Sequence, residues 1–395
     1  PYGIILMSKL IEIKDLVTNF YTYEGVVKAL NKISLNIDKG ITFGLVGESG
    51  CGKSVTVRSI MRIVQAPGVI ESGEIWFHPD EKNGFNAGEP VDLLAQSEAY
   101  MRDLRGDLIS MIFQEPNAAL NPILSIGDQV SESFFFHKKQ EMAQTILEEM
   151  NRPGDGTPAF LKPFLNFTYS HLAQNPDSPV LKVFSKIPIL KLWEGKLKKE
   201  GKKRSIEIME KLAIPNPEKI FDSYPHNLSG GMKQRIVIAI ALACSPILLI
   251  ADESTSNLDV TIQAQILELL NSLRKDIISS ILLITHDLGV VAETCDRVGV
   301  MYAGNVCEVA DVKELFRTPK HPYTAALLDS VPKRAQTDEL KTIDGSVPNL
   351  VDPPSGCRFH PRCHLAMDIC KKETPEVLDT GNNHLVACYA VNKTN

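Results

Sequence analysis

Apolar and polar side chains alternate with period two through the first part of the chain. Leu10-Ile11-Glu12-Ile13 and Ile33-Ser34-Leu35-Asn36-Ile37 read as half-buried strands, and Asp38-Lys39-Gly40 as a turn. Ile41–Val46 is a short apolar run ending in a glycine-rich loop, and Ser54–Val64 then reads as a helix. The polar, glycine-rich stretch from Glu81 to Pro90 reads as a surface loop. Ile247–Ala251 and Ser280–Ile284 are continuous apolar runs, the pattern of strands buried on both faces of a parallel sheet. Ile262–Leu273 between them has amphipathic helical spacing, so the core is expected to be α/β.

Residues 136–205 differ in character. A helix over Gln140–Met150 is broken at Asn151-Arg152-Pro153-Gly154, and five prolines fall between Pro153 and Pro179. Val180–Trp193 and a basic run from Lys196 to Arg204 follow, and Ile206–Leu242 is helical apart from a short break. This region is expected to be an insertion on a helical subdomain. Its basic run has two readings, a solvated helix face or contact with lipid headgroups or a membrane partner.

Composition narrows the class. The chain has 395 residues, 44% of them hydrophobic and 23% charged, which suits two folded domains or one with an appendage and excludes wholesale disorder. Its net charge of −6 disfavours a general nucleic-acid binder. No run of about 18 apolar residues occurs, so no transmembrane span is expected. No basic-then-apolar leader is visible; Met7 is expected to be the initiator and Pro1–Leu6 an added remnant. Of the eight cysteines, Cys357, Cys363, Cys370 and Cys388 crowd the last stretch. In a reducing compartment four clustered cysteines point to a metal or cluster rather than disulfides.

The sharpest chemical signal is Gly47-Glu48-Ser49-Gly50-Cys51-Gly52-Lys53-Ser54, which matches G-x-x-x-x-G-K-S/T after a strand and before a helix. Its glycines let backbone N–H groups converge on phosphate oxygens, and the helix start adds the positive end of its dipole. Gly47, Ser49, Gly50, Cys51, Gly52, Lys53, Ser54 and Val55 are the expected nucleotide contacts. Lys53 is assigned to the β- and γ-phosphates and Ser54 to Mg²⁺. Asp252 and Glu253 end the apolar run 247–251, where two acids are costly unless used. Asp252 is expected in the Mg²⁺ shell, and Glu253 as the residue that orients or deprotonates the attacking water. His286 follows the next strand, where it could meet the γ-phosphate.

Leu228-Ser229-Gly230-Gly231-Met232-Lys233-Gln234-Arg235 adds a second anion-binding helix start. It resembles the signature motif of ATP-binding cassette (ABC) ATPases. Ile112-Phe113-Gln114-Glu115-Pro116 resembles the Q-loop, Ser256-Asn257-Leu258-Asp259 the D-loop, and His286 the switch histidine. The resemblance implies a P-loop NTPase with a RecA-like α/β core, an antiparallel β subdomain and a helical subdomain, then a small Cys-rich C-terminal domain. The implied limits are 8–317 for the cassette, with the helical subdomain at about 115–235 and its insertion at 136–205, and 318–395 for the tail. It also implies that Gln114 senses the γ-phosphate at the Mg²⁺ site, that Tyr23 (with Phe20 second) stacks on adenine, and that Asp259 of the D-loop is a nucleotide-binding residue. Ser229, Gly230, Gly231 and Gln234 are implied to act on the nucleotide of a partner cassette in a head-to-tail dimer. Two positions depart from the family pattern: Ser254 replaces the usual Pro and Asn257 the usual Ala. Neither removes a group that does chemistry, but both bear on how active the site is.

His321-Pro322-Tyr323-Thr324-Ala325-Ala326-Leu327-Leu328 and Pro354–Cys363 resemble the tail of oligopeptide and dipeptide importers. The spacing C-x5-C-x6-C-x17-C fits that subfamily, some of whose members carry a 4Fe–4S cluster there. Zinc, or four free thiols, are the other readings; zinc sites favour C-x₂₋₄-C pairs, which are missing here.

The expected function is thus the ATPase subunit of an importer for peptides or related solutes, at the cytoplasmic face of the membrane. The resemblance implies a second ATPase chain as heterodimer partner, two permease subunits, an extracellular solute-binding protein, and no nucleic acid. The rival from another class is a soluble ABC ATPase of DNA repair or ribosome recycling. A third reading, a cassette that binds ATP without hydrolysing it, is opposed by Glu253 and His286.

Overall fold

The computed structural model describes residues 8–80, 88–152, 157–175, 192–253, 260–274, 280–330 and 343–391. The chain divides into two compact units, one of residues 1–105, 247–256 and 270–395, the other of 106–246 and 257–269.

The first unit holds two sheets. β1 (Lys9–Thr22), β2 (Gly25–Asp38), β4 (Gly68–Phe77) and β5 (Val91–Asp92) form an antiparallel sheet in the order β2-β1-β4-β5. Ile33, Leu35 and Ile37 are buried while Ser34 and Asn36 are exposed, as the alternation predicts. The pairing shifts register between Ile13 and Leu16, where Asp15 takes a φ of 45°; such bulges let one strand run on past a break in its pattern.

The second sheet supports the phosphate loop. β3 (Thr42–Val46), β7 (Leu248–Asp252) and β8 (Ser280–Ile284) are buried throughout. With β9 (Arg297–Tyr302) they run parallel in the order β9-β3-β8-β7. β10 (Asn305–Asp311), β12 (Leu385–Val386) and β11 (Leu378–Asp379) add antiparallel strands beyond β9. Residues 318–395 were expected to be a separate small domain. Their described part falls in the same compact unit as the core and adds strands to its sheet. The buried Glu308 carboxylate ties them in: it accepts the N–H groups of Lys320 (2.8 Å) and His321 (2.9 Å) and meets His384 Nε2 at 2.6 Å. An acid this deep needs such partners.

The helix after the phosphate loop spans Lys53–Ile60, shorter than the expected 54–64. Arg105 ends it, donating to the carbonyls of Met61 (2.7 Å) and Arg62 (3.2 Å), and Arg62 turns left-handed with φ 49°. That cap comes from some 40 residues away and has no local signature.

The second unit contains β6 (Ile109–Ile112) and a set of helices. The helices Lys139–Met150 and Lys162–Gln174 bury Met142, Ile146, Leu165, Tyr169 and Leu172. Tyr169 donates its hydroxyl to the Trp193 carbonyl. The basic run lies on the helix Leu192–Lys211. Arg204 pairs with Glu200 and Glu141, Lys203 with Glu149, and Lys202 with Asp222. Acids of its own unit therefore neutralise much of the run, which favours the solvated-face reading over lipid contact. Among the described residues no helix is long and apolar enough to cross a membrane.

Candidate functional site

β3 delivers the chain into the phosphate loop at Gly47, whose φ of 149° and surroundings admit no side chain: a Cβ there would lie 2.1 Å from the Met301 carbonyl oxygen. At Gly50 (φ 75°) a Cβ would meet nothing within 4 Å, so it is the backbone conformation that calls for glycine there. Lys53 is 4% exposed, and its Nζ donates to the Gly47 (2.8 Å) and Glu48 (3.1 Å) carbonyls, holding its charge over the loop. Cys51 is buried, so its thiol packs inward and only its backbone is available to a ligand. Val55 stands half-buried in the helix that follows.

The Mg²⁺ residues meet directly. Ser54 Oγ donates to Asp252 Oδ1 at 2.9 Å. Asp252 is 4% exposed, and burial pushes its carboxyl above the usual range, while the Ser54 hydrogen bond lowers it. A buried acid beside a hydroxyl suits a hard divalent cation, so the donor set fits Mg²⁺. Glu253 follows at φ 46°, left-handed for a residue with a side chain, and its N–H is fastened to the Ile284 carbonyl at 3.0 Å. Strain of this kind costs roughly 1–3 kcal/mol and gathers at functional positions. It brings Glu253 Oε1 to 3.9 Å from His286 Nδ1, so the two residues expected to handle the attacking water are neighbours at adjacent strand ends. Tyr23 occupies the tip of the β1–β2 hairpin and is 98% exposed, free to stack; Phe20 is half-buried within β1.

Gln114 and the signature lie in the second unit. Gln114 is exposed just after β6. Ser229 caps the helix Gly230–Leu242 by accepting the Met232 N–H (3.4 Å), and a Cβ on Gly230 would meet nothing within 4 Å. Gly231 is tighter, its Cβ falling 3.2 Å from Ile262. Gln234 is wholly buried within the helix Gly230–Leu242. Asp259, with Ser254 and Asn257, lies outside the described residues.

In the tail, Cys357, Cys363, Cys370 and Cys388 line one small pocket. Burial pushes the Cys357 thiol up to about 11 and raises those of Cys363 and Cys388. Among the described residues no three His, Cys, Asp or Glu side chains stand close enough to hold a single metal ion. Tyr323 and Arg362, both within the tail motifs, reach Glu48 in the phosphate loop with their side chains, a contact the motifs do not reveal. Their separation in sequence, 275 and 314 residues, hides the contact.

Residues 30–256 match the ABC transporter family model, and residues 307–370 match the oligopeptide/dipeptide transporter C-terminal region. The chain is 40% identical to the oligopeptide transport ATP-binding protein OppD of Bacillus subtilis, over 98% of this chain and 90% of that one. It is also 40% identical to the dipeptide transport ATP-binding protein DppD of the same organism, over 97% and 95%. Among solved structures, it resembles the dimeric ABC transporter cassette MJ0796 at 21% identity with a TM-score of 0.53, covering 77% of this chain and 99% of that one. A post-hydrolysis dimer of the same cassette with ADP and phosphate gives 0.52 at 20% identity, over 77% and 99%. These structures support the cassette fold. The DNA-repair and ribosome-recycling reading gains nothing from any of these likenesses. The chain belongs to the ABC transporter family, as an ATP-binding protein of its oligopeptide/dipeptide branch.

Proposed function

We propose that this chain hydrolyses ATP at the cytoplasmic face of a membrane to drive import of peptides or related solutes. The observation that carries the reading is the Ser54–Asp252 hydrogen bond beside the phosphate loop, with Glu253 and His286 3.9 Å apart at the next strand ends. Lys53 binds the β- and γ-phosphates, and Ser54 and Asp252 hold Mg²⁺, which neutralises charge on the transferred phosphoryl group. Glu253 takes a proton from the attacking water, His286 steadies the γ-phosphate, and Gln114 reports its presence. Tyr23 stacks on adenine. Ser229, Gly230 and Gly231 close over the nucleotide of a second ATPase chain. Closure on ATP and reopening after hydrolysis drive two permease subunits, to which an extracellular binding protein delivers the solute.

The test is co-purification of the tagged chain from gently solubilised native membranes, with mass spectrometry of what accompanies it. Two multi-span permeases and a second cassette ATPase are expected. Recovery with ribosomal or DNA-associated partners and no permease would contradict the reading.

The four tail cysteines are proposed to hold a 4Fe–4S cluster. What supports this is that all four line one pocket and follow the spacing C-x5-C-x6-C-x17-C. Anaerobically purified protein is expected to carry about four iron and four acid-labile sulfide per chain, and Cys370→Ser to lose most of both. Protein with neither iron nor sulfide would exclude the cluster.

A further inference from the structure

The tail reaches the phosphate loop at Glu48. Arg362, its side chain 6% exposed, gives both ends of its guanidinium to Glu48: Nη1 to Oε2 at 2.8 Å and Nη2 to Oε1 at 3.2 Å. The fork is itself held in place. Its Nε donates to the Asp344 carbonyl (2.8 Å), Nη2 to the Ile343 carbonyl (3.2 Å) and Nη1 to the Tyr302 hydroxyl (3.2 Å). Tyr323, fully buried, accepts the Glu48 N–H at 3.0 Å. The Glu48 carbonyl in turn accepts from Lys53 Nζ at 3.1 Å. Side chain, N–H and carbonyl of the loop's second residue are thus each engaged. The tail also supports the hairpin that carries Tyr23: Leu350 accepts the Lys28 N–H at 2.9 Å, and Val351 packs where a Cβ on Gly25 would fall.

We propose that Arg362 is a positioning residue of the nucleotide site, neutralising the Glu48 carboxylate so that the loop accepts phosphate charge. Without Arg362, a carboxylate that is 24% exposed would stand unpaired in the loop that receives the phosphates, and like charges at short range repel. A bidentate arginine both cancels that charge and sets its geometry. The inference rests on the phosphate loop being the ATP site.

The experiment titrates the full-length chain with a fluorescent ATP analogue and Mg²⁺, thermal melting serving as the check on folding. Arg362→Gln is expected to weaken binding about tenfold, some 1.4 kcal/mol. Arg362→Lys should recover part of the loss. The double variant Glu48→Gln/Arg362→Gln should return to within about threefold of wild type, because the repulsion leaves with the carboxylate. If Arg362→Gln does not fold, Glu48→Gln alone decides: it leaves a cation beside the loop and should bind at least as tightly as wild type. Unchanged binding by a folded Arg362→Gln, a double variant as weak as the single one, or weaker binding by Glu48→Gln would each overturn the proposal. Failure of wild type itself to bind would instead count against the ATP site, not against Arg362.

Discussion

Glu253→Gln is expected to lower steady-state ATP turnover of the assembled complex by about 10²–10⁴-fold, the range lost when a general base is removed. The substitution is nearly isosteric. It keeps the backbone bond from residue 253 to the Ile284 carbonyl, and with it the left-handed turn that aims the side chain. What it removes is the capacity to take a proton. ATP, Mg²⁺ and the closed dimer should therefore still form, and the complex should accumulate in the ATP-bound state. Turnover by phosphate release and nucleotide occupancy by filtration give the two readouts. A turnover equal to wild type would mean that the working site lies in the partner ATPase, a point to which Ser254 and Asn257 give some weight.

Lys53→Met should act earlier, at binding. The methionine keeps an apolar stem in a position only 4% exposed, so the helix and its packing are expected to survive. The ammonium is lost, and with it two bonds to loop carbonyls and the contacts it would make to the phosphates. At about 1.5–3 kcal/mol for each charged hydrogen bond, ATP affinity should fall by about 10²–10⁴-fold. Together the two variants separate the steps: Glu253→Gln binds without turnover, and Lys53→Met does neither at ordinary ATP concentrations. A Lys53→Met chain that bound ATP normally would remove the loop from the nucleotide site.

Some of this architecture is legible residue by residue. The apolar runs at 247–251 and 280–284 read as buried parallel strands because no charge interrupts them, and the structure makes them β7 and β8. The phosphate loop is legible because its glycines answer purely local demands, such as the space denied to a Cβ at Gly47. What stayed hidden depends on distant partners. The helix from Lys53 stops early because of Arg105, and Arg204 and Lys203 of the basic run are paired by Glu141 and Glu149 on another helix. Gln234 belongs to a recognisable motif, yet its helix turns it inward. The tail reads as a separate domain by its cysteines and prolines, but two-residue strands and the buried Glu308 knit it into the core sheet. Strands that short carry no periodicity to read.

The tail and the nucleotide site therefore share one unit. Glu48 is reached from Tyr323 and Arg362, and the Cys-lined pocket includes His321, which immediately precedes the helix bearing Tyr323. Burial holds His321 neutral, its pKa pushed down to about 4, so its Nδ1 can accept the Tyr323 N–H and cap that helix.

The measurement that tests the central claim most directly is solute uptake by the purified complex in liposomes, with the binding protein and a labelled peptide mixture outside and ATP with Mg²⁺ inside. Accumulation of peptides with wild type, and its loss with Glu253→Gln at unchanged complex assembly, is the predicted result. ATP hydrolysis by the wild-type complex with no peptide or related solute entering under any binding-protein loading would contradict the claim that this chain powers import.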